Sequence, residues 1–125
     1  MSKVKPIDIN WLEVVEEQNY QAAASYLGLL HPDNRVVEII AGLRSAPIVK
    51  FKAKDIFRAS RLSLLGVSNS HVARDNEKIQ KGQGLSPILL VRDEPNGTVV
   101  IADGYHRMCA IYGSNEDAWI RCKIT

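Results

Sequence analysis

The chain contains no run of about 18 apolar residues, so it offers no candidate for a membrane-spanning helix, and no membrane partner is expected. It is also poor in cysteine. Cys109 and Cys122 are the only two, without metal-ligand spacing, and are expected to be reduced thiols rather than a disulfide framework. Three histidines, spread over the chain, give no zinc pattern. Charge of one sign is lacking as well: 16 Lys and Arg stand against 14 Asp and Glu, a formal charge of +2, which gives no global argument for a nucleic-acid partner. The opening Met1-Ser2-Lys3-Val4-Lys5-Pro6 has neither the apolar stretch nor the small-residue cleavage site of a signal peptide, and a cytoplasmic location is expected.

What is present is an ordinary globular composition, 46% hydrophobic and 24% charged, over 125 residues, enough to bury a core without staples. From Asp8 to Leu30 apolar residues recur at helical spacing (Trp11, Leu12, Val15, Ala23, Tyr26, Leu27), with Asn19 a break or cap between two helices. After His31-Pro32, Asp33 or Asn34 can cap a helix carrying Val36, Val37, Ile40 and Leu43. Residues 1–47 therefore read as an N-terminal helical arm, with a boundary near Pro47. Ordinary packing onto the remainder is the simpler role for it; a homodimer or partner contact through Trp11, Tyr20 and Tyr26 is the alternative.

Residues 48–125 read as an α+β domain. A β-branched strand begins at Ile48, and a short turn or helix covers Lys52 to Ser60. Arg61 to Ser70 reads as loop. Asn69 or Ser70 can cap a helix from His71 to Lys81, ended by Gly82-Gln83-Gly84. Pro87-Ile88-Leu89-Leu90-Val91 is a short apolar run suited to a buried strand, and the turn Asp93-Glu94-Pro95-Asn96-Gly97 joins it to Thr98–Ala102 as a hairpin. A two-turn helix from Tyr105 to Tyr112, ended at Gly113, precedes a last strand, Ala118 to Ile124, with Ile120, Cys122 and Ile124 on one face.

The chemistry concentrates where the strand ending at Ala102 runs through Asp103-Gly104 into a helix. The first amides of such a helix are orphan donors at the positive end of its dipole and hold phosphate well. His106 and Arg107 lie in that first turn, where cations oppose the dipole unless an anion compensates them. A second basic row, His71, Arg74 and Lys78, is spaced i, i+3, i+7 on the preceding helix. The plain alternative is that Asp103 caps the helix and these cations form solvated faces. Buried, inert thiols are the simpler reading of Cys109 and Cys122.

Residues 48–125 resemble the ParB N-terminal/sulfiredoxin family. The ParB box Gly-Glu-Arg-Arg-x-x-Ala is matched at Gly104, Arg107 and Ala110, and the sulfiredoxin Gly-Cys-His-Arg at Gly104, His106 and Arg107, with Tyr105 at the cysteine. Pro87–Val91 is similar to the family's Pro-Ile-x-Val strand. The resemblance implies a small mixed sheet with helices. It also implies nucleotide phosphates held at Gly104, Tyr105, His106 and Arg107, with His71, Arg74 and Lys78 on the preceding helix. A nucleotide such as ATP, ADP or CTP, with Mg²⁺, would be the ligand, and hydrolysis or phosphoryl transfer the reaction class, with Asp103 and Asp55 the carboxylates to test as base or metal contact. Tyr105 removes the thiolate that sulfinic-acid reduction needs. A DNA-associated ParB-like regulator or nuclease module, and a non-catalytic interaction module, are the other readings.

Overall fold

The computed structural model describes residues 8–66 and 69–125. Its elements run α1 (Glu17–Leu27), α2 (Asp33–Ser45), β1 (Val49–Lys52), α3 (Ala53–Ser60), α4 (Ser70–Gln80), β2 (Ile88–Asp93), β3 (Thr98–Asp103), α5 (Tyr105–Ser114) and β4 (Trp119–Ile124). The result is an α+β fold around one mixed sheet in the order β1-β4-β2-β3. β1 is antiparallel to β4, β4 is parallel to β2, and β2 and β3 form the antiparallel hairpin that the turn sequence predicts. The hairpin turn is a single 3-10 turn at Glu94–Asn96, closed by Gly97 at φ +63°.

β2 explains the layering. Its side chains alternate between faces, and both faces are covered, so Ile88–Val91 is apolar at every position rather than every second one, before Arg92 and Asp93 lead into the turn. Ile88 and Leu90 join Ile101, Ile120 and Cys122 under α3, α4 and α5. Leu89 and Val91 join Ala102 under α1 and α2, against Tyr20, Ala23, Leu27, Val36, Ile39 and Leu43. The helical arm is thus packed on the sheet and shares a core with it, although Tyr26 stays 45% exposed.

Several local expectations are corrected. Residues 8–16 form no helix: Trp11 bridges in parallel to Leu85, and Leu12 N–H donates to the Leu85 carbonyl at 2.8 Å. Asn19 neither breaks nor caps a helix but is buried within α1. Asp33 is the first residue of α2, whose N-terminus has no side-chain cap, and α2 buries Ile39 rather than the exposed Val37. α5 runs past Gly113 to Ser114. Asn69 does cap α4, accepting from the amides of His71 and Val72 at 3.0 and 3.3 Å. Among the described residues no helix is long and apolar enough to cross a membrane.

Candidate functional site

β3 delivers the chain to Gly104, the N-cap of α5, at φ +106°. That backbone is one L side chains rarely adopt. A side chain would also force its neighbours to shift, since a Cβ there would lie 2.5 Å from Ile88 Cδ1 and 2.8 Å from Arg107 Nη2. The glycine is therefore required twice, by conformation and by close packing against β2.

Asp103 does not cap α5. No side chain does. Instead the Asp103 carboxylate accepts from Arg107 Nη2 at 2.9 Å, both side chains being 15% exposed. Burial pushes the Asp103 carboxyl above the ordinary aspartate value, and the Arg107 guanidinium only partly offsets it. The pair fixes the guanidinium beside the α5 N-terminus, and Arg107 Nε is buried there without a protein partner among the described residues.

α4 packs against α5 and brings its basic row to the same place. One cleft of about 160 Å³ is lined by His71, Arg74, Asp75 and Lys78 from α4 and by Asp103, Gly104, Tyr105, His106 and Arg107. Arg74 and Lys78 form no ion pair among the described residues. The rings of His71 and His106 lie 4.8 Å apart, and Tyr105 stacks on His106 with centroids at 5.6 Å. Three aromatic rings thus make a row beside the cations.

Every phosphate-binding residue expected from the sequence lines this cleft; Asp55 does not. It sits on α3, 3.6 Å from Arg58, beside a separate apolar cavity with Phe51, Ile56, Leu90 and Val99. Asp103 and Asp55 therefore do not share a site. Asp75, which the sequence did not single out, also lines the cleft. Its signal was its position i+4 from His71.

The loop 61–66 is tied to α5 by two contacts that sequence spacing does not show. The Tyr105 hydroxyl donates to the Ser63 carbonyl, and Leu65 N–H points to Cys109 Sγ at 3.5 Å. Burial raises both the Tyr105 and Cys109 groups. It also pushes Cys122 up to about 12, so neither cysteine is a ready thiolate at neutral pH. Among the described residues no group of three or more His, Cys, Asp or Glu is placed to hold a metal ion.

No protein-family model, curated protein or solved structure matches the chain. Its reading therefore rests on the chemistry of the cleft.

Proposed function

We propose that this is a nucleotide-binding domain of the ParB/sulfiredoxin-like kind and that the cleft between α4 and α5 holds the nucleotide's phosphates. The observation that carries the reading is the convergence of Arg74 and Lys78 from α4 with Arg107 and the uncapped N-terminus of α5. Three permanent cations face two carboxylates, Asp75 and Asp103, and one of those carboxylates is already engaged by Arg107. The surplus positive charge and the first-turn amides suit an anion with several acceptor oxygens.

Size narrows the choice. Pockets for whole drug-sized ligands run to about 300–1,000 Å³, whereas this cleft has about 160 Å³. It encloses a phosphate end and leaves the remainder outside. The row of His71, His106 and Tyr105 offers that remainder a stacking surface, which favours a nucleotide over inorganic phosphate. Mg²⁺ would come with the nucleotide and offset part of its charge, with Asp75 and Asp103 the carboxylates that line the cleft. Hydrolysis or phosphoryl transfer is the reaction class that such a site serves, with Arg107 stabilising charge and Asp103 orienting Arg107.

Thermal unfolding with ATP, ADP and CTP, each with and without Mg²⁺, tests the reading, because a ligand that binds only the folded chain raises its melting temperature. The shift is expected to disappear in Arg74→Ala/Lys78→Ala, whose side chains have no ion pair to lose. If no nucleotide shifts the melt while duplex DNA binds at low salt, with affinity falling steeply as salt rises, the cleft is a contact for a DNA backbone instead.

A further inference from the structure

The two edges of the sheet differ in protection. β1 carries Lys50 and Lys52, and Lys52 also lies 3.9 Å from Asp117 and over the Trp119 ring. Edge lysines of this kind discourage the addition of another strand. At the opposite edge, Thr98-Val99-Val100-Ile101-Ala102 has neither charge nor proline before Asp103. Among the described residues no backbone hydrogen bond from outside the sheet reaches it.

Each face of the sheet carries a cavity that a β3 residue helps to line, the α3-face one reaching across the sheet from Phe51 of β1 to Val99 of β3. On the α3 face, about 200 Å³ is lined by Val99, Leu90, Phe51 and Ile124. On the α1–α2 face, about 450 Å³ is lined by Val100, Val91, Ile39 and Leu30 together with charged residues such as Arg35 and Arg92. A strand added to β3 would send alternate side chains to these two faces. Leu30 is 50% exposed there, and its neighbour Leu29 is 81% exposed.

We propose that β3 pairs antiparallel with β3 of a second copy of this chain, joining the two sheets into one. A twofold axis normal to the sheet keeps each face on its own side, so opposed residues must share a face. Centred on Val100, the axis opposes Val100 to itself and Val99 to Ile101 of the other copy, apolar against apolar. No like charges meet along this stretch. The β2–β3 register shift, which leaves Ala102 without a partner, ends the regular edge just beyond it.

Charge favours the antiparallel arrangement as well. It carries the acidic turn of one copy, Asp93 and the exposed Glu94, toward the far end of β3 in the other, where Gly104 opens the cationic cleft. A short strand pair covers less than the roughly 800 Å² per partner of a standard interface. Leu30, which lines the same cavity as Val100, supplies additional apolar area.

Analytical ultracentrifugation of the full chain at micromolar concentration tests the proposal. The expected mass is twice 13.9 kDa. Val100→Lys is expected to weaken the dimer by about tenfold or more, with cooperative unfolding retained. Should that variant fail to fold, Val100→Cys gives an independent reading. Facing its own copy, it is expected to be joined by a short bis-maleimide, whereas the wild-type chain, with Cys109 and Cys122 buried, is not. A monomer at every concentration overturns the proposal. So does a dimer that Leu29→Lys abolishes while Val100→Cys stays uncrosslinked, which would place the interface on the helical arm.

Discussion

The helical faces on either side of the sheet bury apolar clusters against the same strands, yet they handle charge in opposite ways. On the α1–α2 side the two arginines of α2 are matched. Arg35 meets Glu38 at 3.0 Å, and Arg44 engages Glu17 through both of its terminal nitrogens. On the α4–α5 side Arg74 and Lys78 face Arg107 across a cleft, and among the described residues the only ion pair lining it is the one between Arg107 and Asp103. Convergent cations repel one another and cost stability. A surface whose cations outnumber its carboxylates, Asp75 and Asp103, is what the proposed anion site requires, whereas matched surface pairs add little to stability and call for no ligand.

Gly104 tests the comparison most severely. Gly104→Ala would combine an L residue at φ +106° with a Cβ inside van der Waals contact of Ile88. The expected loss is about 3 kcal/mol in denaturant unfolding, together with loss of the nucleotide-induced thermal shift. Gly97→Ala is the control. Gly97 also has positive φ, but nothing lies within 4 Å of its Cβ position, so only conformational strain of about 1 kcal/mol is expected, with binding retained. Equal losses at the two glycines would remove the claim that Gly104 is fitted to a site.

The cations come next. Arg74→Ala and Lys78→Ala are each expected to weaken nucleotide binding about tenfold, near 1.4 kcal/mol, while the melting temperature of the free chain holds or rises. Arg35→Ala on the other face is expected to leave binding unchanged. Calorimetric titration of the three variants decides this, and a similar loss for Arg35→Ala would collapse the distinction between the faces. Asn69→Ala has a smaller effect, about 1 kcal/mol of stability, through the two amides that it caps at the start of α4.

Much of the cleft was legible because its signals are local. The i, i+3, i+7 spacing put His71, Arg74 and Lys78 on one helical face, and strand, glycine and helix followed directly at Ala102 to Tyr105. β2 was also legible, since an uninterrupted apolar run fits a strand covered on both faces. What escaped depends on contacts distant in sequence. The apolar spacing of residues 8–16 mimics a helix, but the segment is drawn out to bridge Leu85, 74 positions beyond Trp11. Asp103 reads as a cap from the sequence, yet the cap position falls to Gly104 and Arg107 one turn later takes the carboxylate as its partner. Asp55 resembled a site carboxylate because the chain does not show that α3, on the same face of the sheet as α4 and α5, holds it at a separate cavity. The parallel neighbour of β2 is β4, reached through β3 and α5, and no local pattern encodes that return.

The finest distinction between the faces is nearly silent at neutral pH and emerges at the two ends of the pH scale. On the α1–α2 side, the hydrogen bond from Arg44 holds Glu17 below the ordinary glutamate value. A lowered carboxyl binds fewer protons in the folded chain than in the unfolded one, so its contribution is present above the ordinary value and is lost as pH falls through the folded one. Cys122, in the cluster beneath α3, α4 and α5, behaves oppositely. Burial pushes its thiol up to about 12, so between the ordinary thiol value of about 8.5 and that limit the folded chain keeps a proton that the unfolded chain has lost. Stability is therefore expected to fall as pH rises through this window, by at most about 1.4 kcal/mol per pH unit from this one group. Urea unfolding as a function of pH separates the two: Glu17→Gln should flatten the acid limb alone and Cys122→Ala the alkaline limb alone. A Cys122→Ala chain that retained the full alkaline slope would show that the thiol is not the group that burial protects.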